Sequence, residues 1–291
     1  MNRTDSKLTE IMARLLDGNA GTVQSVERLG GLNHQSYEVN HQYIVKFPNA
    51  DDSLDVFRKK AQLMAVLGEY VKFKLPQIEI KKFPADEKTA RIVPVYSGHV
   101  MAQVYPKIQG TTLNEKRFLD LADPVQKQIL TDQAVFAAQI HAVPLGRVYG
   151  LIDDTFIDNL SAQIEAVLPE LHTYDDTFGA RLKRTVLDEV GWLCHFVPTH
   201  NDQHLGNSVI DEKTGKIIGM IDMDDIIVRR IENAKGLRLF SKSHLNYFRK
   251  KYTAFVTQKN AALLSAAQDF VSPYQVIGDI SRRVFKKMKE R

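Results

Sequence analysis

Cysteine is nearly absent from this chain of 291 residues. Cys194 stands alone, so no internal disulfide can form, and a reducing cytoplasm fits. It lies in the apolar stretch 192–197 and reads as a buried structural thiol. Long apolar runs are also missing. No stretch approaches the roughly 18 residues of a membrane span, so none is expected. Residues 1–18 are amphipathic, carry Asp5 and Glu10, and lack an apolar core of signal-peptide length. An excess of one charge is lacking too: the net charge of +4 is too small to imply nucleic-acid binding. What remains is a globular composition, 44% hydrophobic and 25% charged, in a chain long enough for one large domain or two lobes.

The first third reads mostly as strands. Residues 22–29, 35–39 and 43–47 are short and rich in β-branched or aromatic residues, with turn signals at Gly30-Gly31 and Asn40-His41. Residues 51–70 then show helical spacing at Leu54, Phe57, Ala61, Met64 and Leu67. Strands are expected again over 77–83, 91–96 and 100–105. After Gly110 the pattern turns helical, over 124–142, 156–171, 178–196 and from 237 onward. The exception is 208–223, which reads as strand, turn at Thr214-Gly215, strand. The expected architecture is therefore α+β: a β-rich N-terminal lobe over 1–104 and a mainly helical C-terminal lobe over 105–291, with one embedded hairpin.

The informative stretch is His200-Asn201-Asp202-Gln203-His204-Leu205-Gly206-Asn207, followed by that hairpin and Ile221-Asp222. Phosphoryl transfer needs a carboxylate for the acceptor hydroxyl, oxygen ligands for Mg²⁺ and a cation for the phosphates. A hairpin brings its two ends together, so Asn207 and Asp222 can share one ion while Asp202 faces the substrate. Any one of these acids alone reads better as a polar loop residue or a strand cap. His200 and His204 stand at a zinc-like spacing, but in a loop with no glutamate between them, which argues against zinc.

Residues 199–225 resemble the catalytic and metal-binding loops of the aminoglycoside phosphotransferase and choline kinase family, which has a bilobal protein-kinase-like fold. The resemblance implies Asp202 as catalytic base, Asn207 and Asp222 as Mg²⁺ ligands, and His200 and His204 as supports of the loop. In the N-terminal lobe, Gly30, Gly31 and Ser36 stand where a glycine-containing turn would cradle phosphates. By the same resemblance Lys46, a lone cation in an apolar strand, pairs with them. Residues 104–110 resemble the interlobe linker that holds adenine, with Tyr105 and Lys107 in it, Lys107 solvated and Ile108 packed on the base. Residues 137–143 resemble the helix that runs toward the catalytic loop. The match spans residues 22–225. It implies ATP (or GTP) with Mg²⁺ as cofactors and a small-molecule hydroxyl acceptor as partner. Neither nucleic acid nor membrane is expected, and the chain is expected to be a cytoplasmic monomer or weak homodimer.

Two departures stand against the family pattern. Lys60 occupies the helix position that usually carries a glutamate paired to the strand lysine, and like charges repel. After Asp225 the usual G-D-P-x-x-D-L-like brace is replaced by Ile226-Ile227-Val228-Arg229-Arg230. Both features favour the alternative of a nucleotide-binding pseudokinase with a regulatory role. A protein kinase is disfavoured by the lack of an A-P-E-like segment. Charge leaves the acceptor open. Residues 153–189 are acidic, which suits a cationic amine, and the C-terminal region is basic, which suits an anionic or neutral substrate. Both also read as solvated helix faces.

Overall fold

The computed structural model describes residues 3–17, 23–29, 35–48, 54–152, 154–223, 226–230, 241–256 and 273–290. The chain divides into two compact units, Met1–Ala65 with Leu75–Gln109, and Val66–Lys74 with Gly110–Arg291.

The first unit is an antiparallel sheet backed by a helix. Helix α1 (Arg3–Leu15) is followed by β1 (Val26–Leu29), β2 (Ser36–Val39) and β3 (Tyr43–Lys46), then α2 (Leu54–Gly68), whose last turn belongs to the second unit. Strand β4 (Glu79–Pro84), a short helix α3 (Glu87–Ala90), β5 (Val95–Tyr96) and β6 (His99–Pro106) complete it. The strand order is β1-β2-β3-β6-β4, with β5 pairing β6. Side chains alternate across a sheet, so register sorts them into two faces. Tyr37, Val39, Val45, Val100, Ala102 and Val104 share one face and form a core with Ile11, Met12, Leu15 and Leu16 of α1. The other face carries Ser36, Glu38, Ile44, Lys46, Gln103 and Tyr105, a polar set in which Lys46 lies between Ser36 and Gln103. Between β2 and β3, Asn40 and His41 both adopt positive φ, the backbone of a tight hairpin turn.

The strand expected over 91–96 is confined to Val95–Tyr96. Asp86 intervenes: its carboxylate accepts the Thr89 N–H at 2.7 Å and caps α3, drawing the chain into a helical turn first.

The second unit runs through β7 (Thr111–Thr112), α4 (Glu115–Leu119), α5 (Asp123–His141), α6 (Leu145–Val148), α7 (Thr155–Val167) and α8 (Asp176–Cys194). Then come β8 (Phe196–Thr199), β9 (Ser208–Asp211), β10 (Lys216–Met220), β11 (Ile227–Arg230), α9 (Lys242–Phe255) and α10 (Pro273–Lys289). Pro169 limits α7, since it can donate no helical hydrogen bond, and a 3₁₀ turn over Pro169–Thr173 replaces the expected last turn. Helix α8 stops where His195 turns left-handed (φ 61°), and Phe196 begins β8. The segment after Asp225, where the family brace is missing, contains a strand: β11 pairs antiparallel with β8, Ile227 opposite Thr199. Residues 231–240, where the last helical region was expected to begin, lie outside the described residues.

Helix α5 is the spine of this unit. Ala134, Ala137 and Ala138 offer a small-residue face on which Val197 and Tyr252 pack. His141 is joined to the Tyr252 hydroxyl at 2.7 Å, and burial pushes its pKa down to about 4. Buried Asp132 accepts the Ile217 N–H at 3.1 Å and so ties α5 to β10. Residue 74 is stitched to the same strand, the Lys74 N–H donating to Ile218 and the Met220 N–H to Lys74. Cys194 is buried, as its apolar surroundings predict.

Candidate active site

In the second unit the loop from His200 to Asn207 leaves β8 and enters the β9–β10 hairpin. Its first anchor is His200, 2% exposed, whose ring sits edge-on to Phe136 of α5 and whose Nε2 donates to the Ile221 carbonyl at 3.3 Å. Burial pushes the His200 pKa down, so the ring is neutral. The Ile221 N–H donates to the Asn207 carbonyl at 2.9 Å. Both polar groups of Ile221 are thus held, and Asp222 follows in left-handed backbone (φ 56°), a costly conformation for a non-glycine that packing must enforce.

The second anchor is a buried amide relay that sequence reading missed. Gln203 donates to the Gln133 carbonyl at 2.9 Å and to the Gln133 side-chain oxygen, and Gln133 donates in turn to the Ser208 hydroxyl. The signal was there: a glutamine in the apolar run of α5 reads as one buried polar group needing a partner.

These anchors present the acids. Asp202 is exposed; its Oδ2 accepts from Asn207 Nδ2 at 3.3 Å, and His204 Nε2 stands at 3.3 Å from the same oxygen, within ion-pair distance. The His204 Nδ1 accepts from the Gly206 N–H at 2.9 Å, which leaves the ring proton to Nε2, the nitrogen nearer Asp202. Asn207 also donates to the Asp202 backbone carbonyl at 2.9 Å. Its two amide hydrogens are therefore spent, and Oδ1 is left as an acceptor. Asp202, His204 and Asn207 are brought into direct contact, with His200 one anchor away through Ile221. Asp222 is exposed beside that anchored residue. Asn207 Oδ1 and the Asp222 carboxylate are hard oxygen donors of the kind Mg²⁺ takes.

In the first unit, Ser36, Lys46 and Tyr105 lie on the polar face of the sheet. Gly30 and Gly31 fall outside the described residues. Gln103, absent from the expected set, lies directly opposite Lys46; it is 1% exposed, and its amide nitrogen has no partner among the described residues. Lys107 is not simply solvated: its ammonium bonds Glu38 Oε2 at 2.7 Å. The Lys107 N–H donates to the Gln42 carbonyl at 2.7 Å, so residues 103, 105 and 107 turn their backbone groups toward β3. Pro106 then turns its carbonyl the other way, beyond the last β4 pair, Glu79 with Val104.

The acidic stretch 153–189 is in part engaged in structure. Asp154 and Asp175 cap helices, Asp188 accepts the Gly146 N–H, Glu165 pairs with Lys183, and Glu189 pairs with Arg283. Asp158, Glu170 and Asp176 remain exposed.

A bilobal kinase-like fold and a loop of this chemistry define a phosphotransferase. The family model of the phosphotransferase enzyme family matches residues 25–228, more than half of the chain, and the chain belongs to that family. Similar solved structures include aminoglycoside 2'-phosphotransferase-IIIa with GDP, at 19% identity and a TM-score of 0.55, covering 99% of each chain. The streptomycin-ATP-APH(2")-IIa ternary complex aligns at 15% identity and 0.53, over 100% of this chain and 98% of that one. Macrolide 2'-phosphotransferase MphH from Brachybacterium faecium aligns at 14% and 0.51, over 90% and 89%. At these identities the likeness establishes the fold. No curated protein sequence matches. No helix among the described residues is long and apolar enough to cross a membrane.

Proposed function

We propose that the chain transfers the γ-phosphate of ATP, or GTP, to a hydroxyl of a small molecule: an aminoglycoside, an amino alcohol or a sugar-like acceptor. The observation that carries this reading is the state of Asp202. One carboxylate oxygen takes a hydrogen bond from Asn207 Nδ2 and lies 3.3 Å from His204 Nε2, while the other oxygen has no hydrogen bond among the described residues. A carboxylate fixed in this way can orient an acceptor hydroxyl and take its proton as the new O–P bond forms and the bond to the leaving diphosphate breaks. Asn207 and Asp222 would hold Mg²⁺, which when bound supplies positive charge against the phosphates. Lys46 and Ser36 would meet the phosphates. The Pro106 carbonyl and, two positions on, the Ile108 N–H form an acceptor and donor pair suited to a purine edge, with the Ile108 side chain and Tyr105 beside it.

The second reading, a nucleotide-binding pseudokinase, is favoured by Lys60, which lies on α2 where a glutamate was expected. A nucleotide-consumption screen separates the two. The acceptors are aminoglycosides, macrolides, choline-like amines and sugars, and Asp202→Ala is the blank. Consumption above the blank with one acceptor class supports the kinase. Nucleotide binding without consumption across the panel moves the regulatory reading ahead. On the kinase reading the protein works in the cytoplasm, as a monomer or weak homodimer.

A further inference from the structure

The turn between β2 and β3 is bound to the linker by more bonds than a hairpin turn requires. Glu38 Oε2 receives the Lys107 ammonium at 2.7 Å, and Glu38 Oε1 meets His41 Nδ1 at 2.6 Å. The Lys107 N–H donates to the Gln42 carbonyl at 2.7 Å, and Gln109 Nε2 donates to the His41 carbonyl at 3.1 Å and to the Lys107 carbonyl at 3.3 Å. The turn itself is fixed from the β1 side, where Asn40 Oδ1 accepts the N–H groups of Gln24 and Ser25 at 2.8 and 3.1 Å. Residues 107–109 are thus held to a rigid turn.

The central member is Glu38, only 8% exposed, on the polar face of the sheet. Its strand neighbour is Ile44, and Ile44 in turn neighbours Tyr105. The Glu38–Lys107 bridge therefore crosses β3 from β2 to the linker. A charge that buried is retained only where its partner is well placed. Glu27, Glu38 and His41 do lie within 4.8 Å of one another, a spacing that a cation bridges. The Lys107 ammonium already balances Glu38, however, so the group is a charge-assisted brace and not a metal centre.

Lys107 lies between Pro106 and Ile108, the two positions assigned above to the purine edge. Moving the Lys107 backbone would move both. We infer that Glu38 is a positioning residue for the nucleotide: by gripping Lys107 it holds the linker so that the Pro106 carbonyl and the Ile108 N–H keep the spacing of a purine edge. This rests on the kinase reading and adds to it a residue remote from the phosphates.

The test titrates a fluorescent ATP analogue with Mg²⁺ against the full-length protein, then measures KM and kcat on the acceptor found in the screen. Glu38→Gln keeps the shape and removes the charge. It is expected to weaken nucleotide affinity about five- to twenty-fold while kcat stays within about two-fold. The control Glu212→Gln removes an exposed partner of Arg117 and Thr111 in the other unit and is expected to leave affinity unchanged. The swap Glu38→Lys with Lys107→Glu is expected to recover most of the loss, which a general weakening of the sheet would not allow. Equal affinity of wild type and Glu38→Gln overturns the inference and leaves the kinase reading intact. So does a loss that the swap fails to repair while the swapped protein melts like wild type. A wild-type protein that binds no nucleotide overturns the kinase reading and the inference together.

Discussion

At the scale of single residues, the asymmetry of Asp202 makes a sharp expectation. Asp202→Asn keeps the size of the side chain and removes the proton acceptor. It is expected to lower turnover by on the order of 10²–10⁴ in single-turnover kinetics, with ATP affinity nearly unchanged. Near-wild-type turnover would end the mechanism proposed here. Gly206 tests the neighbour. A Cβ there would lie 2.7 Å from His204 Cε1, so Gly206→Ala must push the imidazole aside. The obstacle is a side chain and not backbone, so the melting temperature should barely move. Turnover should still fall roughly ten-fold as the imidazole beside Asp202 is displaced. His141 gives a prediction about pH. Its pKa is about 4 when folded against an ordinary 6.5, so the unfolded chain binds the proton first as pH falls. The sign follows: above about pH 6.5 His141 is neutral in both states, and below it stability declines until about pH 4. The slope is on the order of 1 kcal/mol per pH unit. Urea unfolding at pH 7 and pH 5 should show a smaller loss for His141→Gln than for wild type.

At the scale of elements, Asp154 stands at a junction. Its Oδ1 accepts the Phe156 N–H at 2.8 Å and caps α7, while Oδ2 accepts the Val228 N–H of β11 at 2.7 Å. Asp154→Ala removes a cap and leaves a strand donor unpaired. It should cost about 1–3 kcal/mol, read as a shifted denaturant midpoint. This junction is not legible in the sequence, because β11 reads only as an absent brace, and the start of its partner β8 reads as the end of α8. The β9–β10 hairpin is legible: apolar runs flank Thr214-Gly215, and Gly215 takes a positive φ of 65° as such a turn requires. The polar spacing from His200 to Asp222 is legible for the same reason, since an apolar hairpin has to return the chain to its start. The bonds that organise that loop are not, because Gln133 and Gln203 are 70 residues apart. Glu38 and Lys107, 69 residues apart, are hidden likewise. A lysine in a linker reads as solvated until the sheet register brings an acid beside it.

At the scale of the whole molecule, a ligand that binds only the folded chain stabilises it. ATP with Mg²⁺ at about 100 times its dissociation constant should add about 2.7 kcal/mol. Thermal melting should show that gain, and a chelator should remove most of it if Asn207 and Asp222 hold the ion. Asn207→Ala should lose the metal-dependent part while keeping any metal-independent nucleotide binding. The single thiol has a practical consequence. Cys194, 4% exposed, is shielded from polar reagents in the native state. A cysteine introduced at exposed Ser97 would therefore be the one site open to a maleimide dye, with no need to remove the natural thiol first. The native protein thus supplies its own unlabelled background for single-molecule fluorescence.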